Sequence, residues 1–470
     1  MPRREIYLLS SRQLAPETIA VAFAKTSRSP DSFRQIAADL TDEKSAQFHE
    51  KWVVGYGHAS VAEHAVLHIA LENVSRVAVE VIESNRLASY TEKSTRYQKW
   101  DADSFATPPE LENSPLRAAF SAAAQRLFDT YLRSLTPVKA LVMRQSPRRE
   151  GENDEAYDRR IRSQYVDVCR FLLPAASLAN LGMTANGRII ESALRKLLSH
   201  PLTEVRQIGA EIKQAALAEI PTLVKYAEPV PYLRETSAEL TRIAASAPPD
   251  ETKSETCQLV DYTRDGEQRI LAAALYRFGS MSYTQALEAV ETAPEPLRRQ
   301  WAASLLGRLG RFDIPLRELE YAAYTFDLVM DQGAYAEFKR HRMMTQTPQT
   351  LTCRLGYAVP RRLVEAGFES DYRAAMEAAG ATYEKLVAEN PLVAQYIVPN
   401  GFNRRVLARF NLREAFAFCQ LRAAPNAHFS IRRVAQKMAD EIRRVHPLLA
   451  MFMCIPDEKD VETKYFSQTA

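Results

Sequence analysis

Helical stripes and short strand-like alternations follow one another along this chain, and they do so twice. Leu67, Ile69 and Leu71 occupy alternate positions, which predicts a half-buried strand. Val74, Val77, Ala78 and Val81 follow at the i, i+3, i+4, i+7 spacing that gives a helix one apolar face. In the second half the alternation recurs at Leu319, Tyr321 and Ala323, again with a helix behind it. Ile431, Val434, Ala435, Met438 and Ile442 make a further helical stripe. The halves also open alike, with a short strand and then a helix: IYLLS and PETIAVAFAKTS in one, CQLVDY and EQRILAAALYRFGS in the other.

The repetition extends to finer marks. Each predicted helix runs into an Arg-bearing segment, ESNRLASYTEKSTRY at 83–97 and KRHRMMTQTPQTLTCR at 339–354. Later, Pro174 precedes Asn186 by twelve residues, as Pro399 precedes Asn411, and an Arg stands two places after each Asn. Self-similarity of this kind predicts a fold written twice. The first half carries an extra polar stretch over 143–164, which reads as an exposed helical hairpin or loop. Residues 237–256, small and polar with a Pro-Pro-Asp turn, are the candidate linker. The expected organisation is therefore a first repeat at 1–236, the linker at 237–256 and a more diverged second repeat at 257–470. The fold class is α/β (α+β): a tandem duplication, helix-rich, with a small mixed sheet in each half.

Length and composition fit that picture. With 470 residues, 46% hydrophobic and 25% charged, the chain can bury more than one core. A net charge of +3 is too even to demand a nucleic-acid or membrane partner. The basic residues near 143–162 are interleaved with acids, so nucleic-acid binding is a weak reading. Without an apolar run of 18 residues or a signal-like start, the expectation is a cytoplasmic protein with no membrane partner. Five scattered cysteines, with no Cys-x-x-Cys, argue against a disulfide framework. His58, His64 and His68 do not form a His-Glu-x-x-His pattern, and no metal is expected. There is no phosphate-binding loop and no Gly-x-Ser-x-Gly elbow.

Three polar clusters carry the candidate chemistry. Glu92, Ser94 and Arg96 alternate, which in an extended segment points all three the same way. Arg340, His341 and Arg342 gather two permanent cations around an imidazole, suited to a pyrophosphate or an electron-rich ring, although a solvated basic face looks the same. Asn186 with Arg188, and Asn411 with Arg413, stand at helix starts, where Asn can cap and an anion is welcome; capping alone also explains the Asn.

In order and spacing, G-H-x-S-x-x-E-H at 57–64, V-S-R at 74–76, N-R-x-A-S-Y-x-E-x-S-x-R-Y at 85–97 and T-x-N-x-R at 184–188 resemble the flavin-dependent thymidylate synthase family. The first half keeps Ser89, Ser94 and Arg96 of the family signature but has Ser84 and Asn85 before Arg86, where the family has Arg and His. The second half keeps Arg340, His341 and Arg342 but has Thr345 and Thr350 for the two Ser, Pro348 for the Glu and Phe312 for the His. Arg422 fills the closing position of N-L-R-E-A-F-A-F-C-Q-L-R at 411–422, which is Leu197 in the first half. The resemblance implies FAD as cofactor, NADPH as reductant, methylene-tetrahydrofolate as one-carbon donor and deoxyuridylate as acceptor. No protein nucleophile is implied, because the cofactor carries the difficult chemistry.

It further implies nucleotide contacts at Glu92, Ser94, Arg96, Arg170 and Arg422, with Arg96 and Arg422 as the catalytic pair. Flavin contacts are implied at His58, Ser60, Glu63, Arg86, Asn186, Arg188, Arg340, His341, Arg342, Asn411 and Arg413. Since family members are homotetramers with sites between subunits, the implied assembly is a homodimer forming a pseudo-tetramer, in which each half supplies what the other has lost. Two alternatives stand beside it: a flavin enzyme acting on another pyrimidine, and a non-catalytic nucleotide- or flavin-binding homologue.

Overall fold

The computed structural model describes residues 5, 7–27, 29–247, 256–310, 312–456, 458 and 461–467. By packing they fall into two compact units that are discontinuous in sequence. The first comprises Met1–Ser94, Ser104–Ala118 and Ala176–Asp250; the second comprises Thr95–Asp103, Ala119–Ala175 and Glu251–Ala470.

Each unit is organised by an antiparallel sheet. In the first, β1 (Val66–Ser75), β2 (Ser89–Glu92) and β3 (Leu178–Asn186) lie in the order β1-β3-β2. In the second, β4 (Cys257–Tyr262), β5 (Ala323–Asp331), β6 (Thr345–Pro348) and β8 (Asn403–Asn411) lie in the order β4-β5-β8-β6. A two-stranded ladder, β7 (Val359–Pro360) with β9 (Phe466–Ser467), completes the second unit. Register repeats from unit to unit. Asn186 pairs with Val66 and Thr184 with Ser89. In the same places Asn411 pairs with Ala323 and Arg409 with Thr345.

The joints repeat as well. Ser75 caps the helix Arg76–Glu83, its Oγ accepting from Ala78 N at 3.1 Å, and Asp331 caps Gln332–Phe338, accepting from Ala334 N at 2.8 Å. Asn186 caps Gly187–Leu198 at 3.0 Å and Asn411 caps Leu412–Arg422 at 2.9 Å. A short polar side chain at the end of a strand satisfies an amide that the first helical turn leaves open, so the chain turns from strand to helix at the same four points. The repeated strand order, register and caps in two helix-rich units with small antiparallel sheets make the tandem duplication plain.

The second unit's core shows why these segments fold as they do. Tyr324, Phe326, Leu328 and Met330 of β5 and Val406, Ala408 and Phe410 of β8 face one way, onto Ile431, Val434, Met438 and Ile442 of the helix Phe429–Val445. Phe326 and Phe410 stack at 5.7 Å with rings 4° apart, and each such buried aromatic contributes about 1.5–3 kcal/mol over exposure. On the other face Leu407 and Arg409 are exposed.

Four expectations shift. Tyr7–Ser10 is not a strand, and Ile6 lies outside the described residues; Ser10 instead accepts from Gln13 and Leu14 in a turn. The second-half alternation falls on a 3-10 turn, Arg317–Tyr321, which buries the adjacent Glu318 and Leu319 together as an alternating strand would not, and the strand begins at Ala323. Val74 ends β1 rather than starting the next helix, after a bulge at which Asn73 takes a φ of 56°. Residues 237–245 continue the exposed helix Pro231–Ala245, and 248–255 of the expected linker lie outside the described residues. The polar stretch at 143–164 is a helical hairpin, as one of its two readings expects: the end of the helix Arg117–Gln145, a turn at 146–153 and the start of the helix Asp154–Cys169.

Candidate functional site

In the second unit five turns and helix ends bring three guanidiniums around one carboxylate. Arg96 comes from the turn at 95–97, Asp167 from the last turn of Asp154–Cys169, and Arg170 from the 3-10 turn that follows. Glu337 lies in the last turn of Gln332–Phe338, with His341 just beyond it, and Arg422 closes Leu412–Arg422. Arg96 Nε and Nη2 donate to the two oxygens of Asp167, each at 2.9 Å, and Nη2 also reaches Asn426 O at 3.2 Å. Arg422 Nη1 donates to Glu337 Oε2 at 3.0 Å. Glu337 Oε1 lies 3.5 Å from Arg96 Nη1 and 3.9 Å from Arg170 Nη2. Glu337 is thus the hub, with its side chain 6% exposed.

The surroundings fix these groups. Arg170 donates to Thr95 Oγ1 at 3.1 Å and to Gly333 O at 3.2 Å, while Asn400 Nδ2 holds its carbonyl. A Cβ on Gly333 would lie 3.1 Å from Asp331 Oδ1 and 3.4 Å from Arg170 Nη2, so a side chain there would press on both groups. His341 Nδ1 is 3.0 Å from Glu414, and its Nε2 accepts from Arg422 Nε at 3.0 Å. Arg has only donors, so Nε2 carries the lone pair and Nδ1 the proton. Burial first, and Arg422 as well, lower the His341 pKa, in keeping with that neutral ring.

Burial acts against the charge of Arg96, yet Asp167 and then Glu337 outweigh it and hold its pKa above the ordinary value. Burial pushes the Asp167 carboxyl up, against the pull of Arg96 and Arg170. His428 Nε2 meets the Asp167 carbonyl at 3.1 Å and its Nδ1 accepts from Ser430 N, so it too is held neutral, well below its usual range, by burial and then by Arg170 and Arg96.

Other sequence-designated residues lie elsewhere. β2 ends at Glu92 and 95–97 turn, so the alternation that would set Glu92, Ser94 and Arg96 on one wall stops. Glu92 is buried against Arg76 at 2.8 Å, and Ser94 is half-buried. In the first unit His58, Ser60 and Glu63 line a cavity of about 750 Å³ together with Phe23, Trp52 and His64. Trp52 stacks on Tyr56 at 5.0 Å, and aromatic walls with a polar rim fit a fused planar ring. Arg188 pairs with Glu63, and in the second unit Arg413 pairs with Glu320 at 2.9 Å. That matching pair places Pro315, not Phe312, opposite His58. Pro315 O accepts from Arg413 Nε, whereas Phe312 is exposed. Arg86 and Arg340 are exposed and Arg342 is half-buried. Asn186 and Asn411 serve as the caps described above.

Several groups escape sequence reasoning: Asp167, Glu337, Glu414 and His428 in the second unit, and Lys196 in the first. Lys196 bonds Ser84 Oγ and Asn85 Oδ1, each at 3.2 Å, while the adjacent Leu197 is core. Glu337 and Asp167 each stand three residues before an Arg already singled out, one helical turn away, and that spacing was the available signal.

Comparison with known proteins agrees with the duplication. The family model described as thymidylate synthase complementing protein matches residues 8–222 and again 258–448. A UPF0159 protein of Chlamydia pneumoniae is 32% identical over 443 residues, covering 91% of this chain and 83% of that one. A flavin-dependent thymidylate synthase of Clostridium tetani is 26% identical over 216 residues, covering 46% of this chain and 83% of its own. A solved UMP/dUMP methylase, PolB from Streptomyces cacaoi bound with 5-Br dUMP, aligns with 42% of this chain and 93% of its own, at 18% identity and a TM-score of 0.32. No helix among the described residues is long and apolar enough to cross a membrane. With two matches that together span most of its length, the chain belongs to the thymidylate synthase complementing protein family.

Proposed function

We propose that the protein is an FAD-dependent methylating enzyme that converts deoxyuridylate to thymidylate, with methylene-tetrahydrofolate as carbon donor and NADPH as reductant. The observation that supports this most is the ring in the second unit: Arg96 and Arg170 precede residue 236, Glu337, His341 and Arg422 follow residue 257, and all five meet. Groups that look incomplete in each repeat make one anion-binding constellation together. Guanidiniums offer the planar, permanent charge that a nucleotide phosphate needs.

In this reading Arg96 and Arg170 take the phosphate in the second unit, and Glu92 and Ser94 are nucleotide contacts of the first unit. Arg422 polarises a pyrimidine carbonyl. His341, kept neutral and oriented by Glu414, fixes the plane of the Arg422 guanidinium through Nε. His58, Ser60, Glu63, Arg86, Asn186 and Arg188 are the first unit's flavin contacts, around the cavity there, and Arg340, Arg342, Asn411 and Arg413 are those of the second unit. When bound, reduced FAD supplies a hydride equivalent. The protein is a cytoplasmic homodimer built from repeats at 1–236 and 257–470. The test is a single turnover of FADH₂-loaded protein with deoxyuridylate and methylene-tetrahydrofolate, followed by nucleotide analysis. Thymidylate is expected; bound flavin reoxidised without any methylated nucleotide would sink the assignment.

A further inference from the structure

The ring around Glu337 is larger than a carboxylate fills. Glu337 Oε2 is hydrogen-bonded to Arg422 at 3.0 Å, but Oε1 is buried at 3.5 and 3.9 Å from Arg96 and Arg170 and hydrogen-bonds to neither. Arg170 Nε is likewise buried without a hydrogen-bond partner. Three guanidiniums therefore converge on a two-oxygen group, and one of its oxygens is under-coordinated. A phosphomonoester has three terminal oxygens, one for each guanidinium.

Formal charge points the same way. Arg96, Arg170 and Arg422 are opposed by Asp167 and Glu337, which leaves a single positive charge for an incoming dianion. Without Glu337 the surplus is two, which a phosphate dianion neutralises. Asp167 does not compete for the same seat, because both of its oxygens are engaged by Nε and Nη2 of Arg96. Three like charges gathered with no anion between them repel one another at low dielectric, so a central carboxylate holds the ring together when no ligand is there.

We propose that Glu337 is a built-in surrogate for a ligand's phosphoryl group: it keeps the three arginines converged and competes with a phosphomonoester for them, so that it sets how tightly the site takes a phosphorylated ligand. This rests on the placement of a nucleotide phosphate in the ring under the proposed function.

The test titrates the full chain, wild type and E337Q, with inorganic phosphate, deoxyuridylate and deoxyuridine by calorimetry. E337Q keeps the hydrogen bond to Arg422 but removes the competing charge. It is expected to bind phosphate and deoxyuridylate about tenfold more tightly or better, with deoxyuridine unchanged. Phosphate affinity equal to or weaker than wild type, or an equal gain for deoxyuridine, would overturn the proposal. E337D, which withdraws the carboxylate by one methylene, is the second variant if E337Q does not fold; a smaller gain for phosphate is expected, and no gain overturns the proposal. Turnover is scored separately. If E337Q gains phosphate affinity while neither chain methylates deoxyuridylate, the surrogate role stands and the synthase reading falls.

Discussion

Asp167→Ala removes the carboxylate that carries most of the Arg96 guanidinium. Two contacts of 2.9 Å are lost, from Nε and from Nη2, between side chains that are 16% and 12% exposed. Breaking a buried pair by deleting one member costs about 3–5 kcal/mol, because the other charge is left away from water. Here Arg96 retains the Asn426 carbonyl at 3.2 Å and Glu337 at 3.5 Å, so the expected loss is smaller, about 2–3 kcal/mol. For a unit of this size that corresponds to a fall in melting temperature of roughly 4–10 °C. The assay is urea and thermal unfolding at pH 7.5 of wild type, D167A, R96M and the double variant. Because D167A strands a charge and the double variant does not, the double variant should be less destabilised than the sum of the two singles, with a coupling of about 1.5 kcal/mol or more. Additive singles, or a D167A loss below about 0.5 kcal/mol, would show that the pair does not hold this ring as argued.

Other consequences are direct. His428 is neutral in the folded chain, well below its usual range, but titrates near ~6.5 when unfolded. The unfolded state then binds more protons, so stability should fall as pH drops below ~6.5 and level off above it, by up to about 1.4 kcal/mol per pH unit for each such histidine. Urea midpoints at pH 7.5, 6.5 and 5.5 check this, and an H428Q chain with an unchanged slope would remove His428 as a cause. Gly401→Ala would set a Cβ 2.6 Å from Tyr372 Oη and 3.0 Å from Met376 Cε, so overpacking should cost about 1–3 kcal/mol; a neutral melting curve would contradict that geometry. Arg96→Ala and Arg422→Ala should each weaken deoxyuridylate binding about 10- to 100-fold in equilibrium dialysis, the worth of one charge-assisted contact, and wild-type affinity in either would remove that residue from the site. The fragment 1–236 should not fold as a whole, since Phe171 O receives Gly401 N and Leu173 O receives Asn400 N from the second repeat, while Phe171 stacks on Phe429 at 5.8 Å; a soluble, cooperatively melting fragment would argue against this.

How much of this could be read from the sequence depended on whether local spacing decided the outcome. The stripe Ile431, Val434, Ala435, Met438 and Ile442 is buried as its period requires, and Asn186 and Asn411 cap helices because a short polar group before an apolar-periodic run does so in most contexts. Arg96 and His341 stand out by spacing, Arg170 and Arg422 only through the family resemblance, and the four meet in one ring. What escaped was their company. Glu337 and Asp167 lie in helices, where an acid near an Arg usually marks a solvated face, and only tertiary packing reveals that these two are buried. The 3-10 turn at 317–321 escaped for a related reason: Glu318, Leu319, Glu320 and Tyr321 alternate in polarity as a strand would. The neighbouring Lys196, not Leu197, turned toward the Ser84–Asn85 turn, a choice of helical face that one residue decides.

The apparent damage in each repeat takes a different meaning once packing is considered. Ser84 and Asn85 stand where an Arg and a His are expected, yet the turn they form is bound by Lys196 and buried enough to lower that lysine's pKa, so the first-unit joint is a finished structure and not an eroded one. In the second unit His341 occupies the corresponding turn and is held between Glu414 and Arg422. One repeat thus closes its joint with a neutral amide and a lysine, the other with an imidazole and an arginine that reaches Glu337. The two repeats share a scaffold, but only the second surrounds its joint with the charges that the ring requires. The second unit's joint is completed by Arg96 and Arg170, which come from the first repeat in sequence.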